Sequence, residues 1–173
     1  MKTILLSFVL ALTLAFSASA ADVSMKLTDV HLCCQGCVKG VQKATGNISG
    51  VTADADMDSD SISLSGPDTA TVQKAVDALT AAGYYGKSSN PDIKVNGDTG
   101  AKDEKVKSLK VEGVHVCCGK CVKSIGEALS AVPGVTGNTA TKGAKSFTIS
   151  GDFNEKDAMA ALQKAGLTGH VAQ

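Results

Sequence analysis

His31-Leu32-Cys33-Cys34-Gln35-Gly36-Cys37-Val38-Lys39 and His115-Val116-Cys117-Cys118-Gly119-Lys120-Cys121-Val122-Lys123 are one motif written twice, offset by 84 residues. All six cysteines of the 173-residue chain lie in these two knots. A disulfide framework spreads its cysteines to cross-link distant segments, whereas a bridge inside such a knot would close a very short loop and stabilise little. The knots are therefore read as chemistry rather than as staples.

The repeat extends outward from the cysteines. Val30 and Val51 correspond to Val114 and Val135, Ile62 and Leu64 to Phe147 and Ile149, and Leu79 and Gly83 to Leu162 and Gly166. In each copy β-type residues in rough alternation lead up to the motif and predict a strand. After it the spacing turns helical, through Val38, Val41 and Ala44 in the first copy and Val122, Ile125, Ala128, Leu129 and Val132 in the second. Each cluster thus spans a strand-to-helix turn. Gly50-Val51 and Gly134-Val135 open a hairpin with polar tips at 57–60 and 142–145, returning through Ile62 and Leu64 or Phe147 and Ile149.

A second helix follows, with Asp68 or Thr69 and Asn154 as N-cap candidates. Val72, Ala75, Val76 and Leu79, or Ala158, Ala161 and Leu162, form its apolar face, and Gly83 or Gly166 stops it. A short last strand is expected at Tyr84-Tyr85 and neighbours, with an extension through Val95 left open, and at 167–171. The order is βαββαβ, twice.

Residues 1–20 carry one basic residue, an apolar run over 4–16 and the small residues Ala18-Ser19-Ala20, which read as a cleaved secretory signal. A periplasmic or secreted protein is expected, with no membrane association after the signal is removed. The divisions are 21–89 for the first domain, 90–106 for a polar, flexible linker and 107–173 for the second domain. The 17 basic residues are all lysine and balance 17 acidic ones, there is no tryptophan, and aromatics make up 3%. Such a chain has neither the basic footprint nor the stacking platforms of a nucleic-acid binder.

Two thiolates spaced C-x-x-C across a turn into a helix can reach one ion. The second of them sits in the first helical turn, where the dipole and free N–H groups favour the anion. Sulfur donors without a nearby carboxylate suit soft ions, Cu(I) first, with Zn(II), Cd(II) and Hg(II) also matched. Cys33 and Cys117 are candidate third ligands, although strand alternation can turn them away from Cys34 and Cys118. His31 and His115 are further candidates because imidazole suits Cu and Zn. Asp54, Asp56, Asp58 and Asp60 alternate in the first hairpin, but Ser59 and Ser65 stand where a calcium loop needs its glycine and glutamate, so a solvated face is expected.

Strand, C-x-x-C turn, helix, hairpin, helix ending in Ala81-Ala82-Gly83-Tyr84 and short final strand resembles the heavy-metal-associated domain of copper chaperones, metal-pumping ATPases and the periplasmic mercury-binding protein. The resemblance implies an α+β fold of two tandem ferredoxin-like βαββαβ sandwich domains, without catalytic activity. It also implies one soft metal ion per domain, held by the cysteines of a Met-x-Cys-x-x-Cys motif. By position these are Cys34 and Cys37, and Cys118 and Cys121. The family's methionine falls on Leu32 and Val116, which keep its apolar character, and the preceding cysteine makes the motif C-C-x-x-C. The expected function is to buffer metal or to transfer it to another metal-transfer protein. The competing reading is a thiol–disulfide oxidoreductase using the C-x-x-C pairs.

Overall fold

The computed structural model describes residues 22–172; the expected signal at 1–20 lies outside them. Strand β1 (Val23–Thr28) alternates buried Met25 and Leu27 with exposed Ser24 and Lys26, the period-two pattern of a sheet with one face covered. It is followed by α1 (Gln35–Thr45), β2 (Thr52–Asp56), β3 (Ser61–Gly66), α2 (Thr69–Ala81) and β4 (Lys87–Ser88). The second copy runs β5 (Lys105–Glu112), α3 (Gly119–Ser130), β6 (Val135–Asn138), β7 (Ser146–Asn154), α4 (Glu155–Lys164) and β8 (His170–Val171).

Each unit is a four-stranded antiparallel sheet, ordered β2-β3-β1-β4 and β6-β7-β5-β8. Its two helices pack on the sheet and on each other. This is the ferredoxin-like α+β sandwich, twice. Leu27 pairs with Ile62 and Met25 with Leu64, so the central strands stack their apolar side chains against the helices.

The caps act as the sequence predicts. Asp68 accepts from Thr71 N at 2.7 Å, Asn154 accepts from Lys156 N at 2.9 Å, and Gly83 and Gly166 end α2 and α4 with φ of +91° and +76°. Asp56 likewise closes the first hairpin tip, accepting from Asp58 N at 2.9 Å and Ser59 Oγ at 2.6 Å. The aspartates there serve the turn and solvent.

Three features differ from expectation. The buried stripe of the first helices is Cys37, Val41 and Thr45 in α1 and Cys121, Ile125 and Leu129 in α3. The stripe therefore begins at the motif's last cysteine, which packs as a small apolar residue. Val38 and Val122 stand at its edge, half-buried.

The last strand of the first unit is Lys87–Ser88, not Tyr84-Tyr85, and does not run on to Val95. Tyr84 instead bridges to Leu167 of the second unit.

The 90–106 segment is also not a loose tether. Ile93 is buried, the Gln73 side-chain amide both donates to Lys94 O (2.7 Å) and accepts from Lys94 N (2.8 Å), and Gln163 Nε2 donates to Gly97 O at 2.9 Å. Further along, Lys102 N donates to the buried Glu155 at 2.9 Å and Val171 N to Thr99 O at 2.8 Å. Polar composition reads as flexibility only while the backbone groups face water, and here both units supply partners for them.

The two units pack directly together, and their buried residues form one continuous apolar cluster. His31 N and Tyr85 N both donate to Gly166 O at 3.2 Å, and Thr168 N donates to Gly83 O at 3.0 Å. The helix-ending glycines of each unit therefore abut the strand-to-helix turn, or the segment beside it, of the other.

Candidate metal centre

The site is built where β1 and β5 run out. Asp29 turns the chain with φ of +61°, Val30 N donates to Asp60 O at 2.9 Å, and Val30 and Leu32 are buried beneath the loop. Val114 and Val116 repeat this in the second unit. Apolar anchors on alternate residues leave Cys33 and Cys117 pointing elsewhere, as strand alternation requires. Cys34 and Cys118 are the N-caps of α1 and α3, in extended conformation, and Cys37 and Cys121 are fully buried in the first helical turn.

The packing of the units brings all six sulfurs together, and all six cysteines are free. Cys33 Sγ lies 3.4 Å from Cys118 Sγ and 3.5 Å from Cys121 Sγ. Cys117 Sγ lies 3.5 Å from both Cys34 Sγ and Cys37 Sγ. Within each unit Cys33 to Cys37 and Cys117 to Cys121 are 3.7 Å apart, and Cys118 to Cys121 is 3.9 Å. Sulfurs on one trigonal ion with bonds of about 2.3 Å stand roughly 4 Å apart, so a shift of a few tenths of an ångström suffices for shared coordination. Among the described residues, every cluster of potential ligands comes from these six cysteines and His31; no carboxylate takes part.

The two histidines are placed differently. His31 Nε2 is buried with no hydrogen-bond partner, and the residue groups with Cys33 and Cys121, ligand atoms within 4.8 Å of one another. His115 stacks on Tyr84, ring centroids 4.6 Å apart, with Nε2 at 3.2 Å from the phenolic oxygen. Tyr84 donates its own proton to Cys37 O at 2.7 Å, so its oxygen can only accept from His115, which fixes the Nε2–H form. The position equivalent to Tyr84 is Leu167, which has no hydroxyl to offer. His170 is exposed, 3.9 Å from Glu112 and outside the cluster.

Close packing sorts the protons. The Cys37 side chain, helped by the Cys118 backbone and opposed by burial, lowers Cys121 well below the usual thiol range. Cys37 is pushed up, first by that same neighbour and then by burial. Burial and cross-unit sulfur contacts also raise Cys33, and raise Cys117 to about 12. Cys34 is resisted by burial, yet the N–H groups of Cys37 and Gly36 and the Cys117 side chain hold it at about 7. Burial lowers His115.

A soft ion bound by these sulfurs would displace protons from Cys33, Cys37 and Cys117, which burial and sulfur contacts keep protonated. Apparent Cu(I) affinity is expected to rise from about pH 6 to about pH 8, by roughly tenfold per pH unit for each proton released. A pH-stat titration counting released protons per ion checks this, and a pH-independent affinity would contradict it.

Sequence reasoning did not identify Tyr84 as part of the site, although it stands in the quoted Ala-Ala-Gly-Tyr run. Gly40 of α1 makes its room, since a Cβ there would collide with the Tyr84 hydroxyl and would approach His115 Cε1 to 2.8 Å. Tyr84→Phe is expected to cost about 1–2 kcal/mol, the usual loss on unpairing a buried carbonyl. It should also free the His115 imidazole, visible as a changed His115 titration by NMR. An unchanged unfolding midpoint and titration would refute the role.

No protein-family model matches the chain, and no curated protein does. Among solved structures, the chain is similar to the N-terminal domain of PacS from Synechocystis PCC6803, at 20% identity over 39% of this chain and 100% of that one, TM-score 0.36. It is also similar to the N-terminal soluble domains of Bacillus subtilis CopA, at 15% identity over 88% and 95%, TM-score 0.34. A third is the pair of first RRM domains of the yeast poly(U)-binding protein Pub1, at 12% identity over 87% and 98%, TM-score 0.24. By its own strand order and connections each unit here is a ferredoxin-like βαββαβ sandwich, and the chain is similar to these soluble domains.

Proposed function

We propose that this is an exported protein that binds a soft metal ion, Cu(I) first among the candidates, and buffers it or passes it to another metal-transfer protein, without catalysing a reaction. One observation carries the reading: six free thiols from two repeated motifs converge at 3.4–3.9 Å with no carboxylate among them. Such a donor set excludes hard cations and suits Cu(I), with Zn(II), Cd(II) and Hg(II) as alternatives. The buried His31 Nε2 adds a nitrogen donor that has nothing else to bind. The resemblance noted from the sequence points the same way, and the apolar residues at 32 and 116 keep the packing beneath the loop that the resemblance implies.

Transfer is by ligand exchange, a partner's thiolate entering as one of the protein's leaves. Cys34 and Cys118, half-exposed at the helix N-termini, are the sulfurs an incoming partner meets before the buried Cys37 and Cys121. Export, inferred from residues 1–20, means that the thiols must be loaded or otherwise kept from pairing in an oxidising compartment.

The test is a titration of the fully reduced protein with Cu(I) against a chelator of known affinity, free thiols being counted before and after. Uptake with protection of the thiols supports the reading. If Cu(I), Zn(II), Cd(II) and Hg(II) all fail to compete, and the protein instead reduces insulin disulfides well above the rate of a free dithiol, the C-x-x-C pairs are redox groups and the metal reading is wrong.

A further inference from the structure

Resting on the metal-binding reading, we infer that the two units exchange a ligand: each C-x-x-C pair is completed by the leading cysteine of the opposite unit. One site is then Cys34, Cys37 and Cys117, and the other is Cys118, Cys121 and Cys33.

The shortest sulfur contacts run across the two units. Cys33 Sγ is 3.4 Å and 3.5 Å from Cys118 and Cys121, and Cys117 Sγ is 3.5 Å from both Cys34 and Cys37. The contacts of each leading cysteine with the last cysteine of its own motif are longer, at 3.7 Å. The local rule explains why. In both units the residue before the C-x-x-C lies between a buried anchor, Leu32 or Val116, and the helix N-cap, so alternation directs it away from its own pair. The packed units turn that thiol onto the facing pair, while it stays 3.7 Å from the last cysteine of its own motif.

The grouping of ligand atoms agrees in part. Cys34, Cys37 and Cys117 form one compact set, and Cys33 lies 3.4 Å and 3.5 Å from Cys118 and Cys121, but the first unit's own three, Cys33, Cys34 and Cys37, are also within 4.8 Å of one another. The second unit's own three, Cys117, Cys118 and Cys121, form a set as well. Cys117 cannot serve both sites as a terminal ligand, however, and it lies closer to the first unit's pair than to Cys121. The exchanged sites also differ from each other, because only the one holding Cys33 and Cys121 has the unpartnered His31 beside it.

An exchanged ligand joins binding to domain closure. In the exchanged arrangement each site takes its third sulfur from the other unit, so a loaded ion ties the units together and a partner that parts them lowers the coordination number and releases the ion. The extra cysteine then has a purpose that a separate C-x-x-C module would not need.

The experiment uses the full reduced chain with Cys34→Ser and Cys37→Ser, which leaves the second unit's pair and both leading cysteines. Cu(I) is supplied from a chelator buffer, affinity is read by competition, and the number of sulfurs per copper by X-ray absorption. The background variant is expected to bind copper through three sulfurs. Adding Cys33→Ser should drop the count to two and weaken binding by more than about tenfold, the lower bound seen for loss of even an outer-shell partner. Adding Cys117→Ser should leave both unchanged. The mirror background, Cys118→Ser with Cys121→Ser, should depend on Cys117 and not on Cys33, which guards against one variant misfolding.

If Cys117→Ser removes the third sulfur in the first background, or if the two leading cysteines count equally, the exchange is overturned while metal binding stands. If the unsubstituted protein takes up no copper and no other soft ion, the functional reading itself fails.

Discussion

Replacing Gly166 by alanine is expected to part the two units and disperse the thiol cluster. Gly166 has φ of +76°, which costs an L-residue about 1–2 kcal/mol. Its added Cβ would collide with His31 N and come within 2.6 Å of Asp29 O, backbone atoms of the other unit with little freedom to yield. Gly83 stands in the matching place, its Cβ meeting His115 N and, at 2.6 Å, Gly113 O. The combined loss is at least about 2 kcal/mol, or roughly 4–8 °C for a chain of this size.

Gly50→Ala separates the two causes, since Gly50 has nearly the same φ, +78°, but its Cβ would meet only the Pro67 ring, at 3.2 Å. That variant should lose stability without parting the units. Small-angle scattering and the alkylation rate of the thiols give the readout. Gly166→Ala should enlarge the particle and expose Cys37 and Cys121, and an unaltered profile with protected thiols would show that the interface tolerates the change.

The second large effect is expected from changing Cys37 and Cys121 together to serine. Both are buried, both begin the apolar stripe of their helix, and the close packing of the sulfurs lowers Cys121 while it raises Cys37. The double change takes one soft donor from each unit and substitutes a hydroxyl, a poor ligand for a soft ion. Cu(I) affinity should fall by well over the roughly 10–100-fold that loss of an outer-shell partner costs. The fold should survive, because serine is close in shape and its hydroxyl can donate to the neighbouring sulfurs, leaving a stability loss of about 1–3 kcal/mol. Competition against a chelator, with circular dichroism to verify folding, decides it. Retention of wild-type affinity in a folded double variant would remove these two residues from the site.

Much of this was legible before any coordinates. Alternation through Met25 and Leu27, helical spacing through Val72, Val76 and Leu79, and the capping residues Asp68 and Asn154 are local signals, each written within one turn or one strand, and each element lies where they put it. Less legible was the helix face at the motif. Valines 38 and 122 attracted the reading because they are the most apolar residues nearby, whereas the buried positions are Cys37 and Cys121, cysteine being a small apolar residue when it packs. The segment from 90 to 106 misled in the opposite direction, since its polar backbone is satisfied by Gln73, Gln163 and Glu155, partners distant in sequence.

The sequence by itself determined the two βαββαβ units, the place of each thiol knot at a strand-to-helix turn, and the soft character of its donors, because all of these follow from residue type and short-range spacing. Only the tertiary structure decided that the knots meet. That outcome depends on two helix-ending glycines, on Tyr84 reaching Cys37 and His115, and on the linker's bonds to both units, contacts between residues tens of positions apart. Periodicity describes how a segment faces its own sheet, but it holds no information about which surface of one folded unit the other will cover.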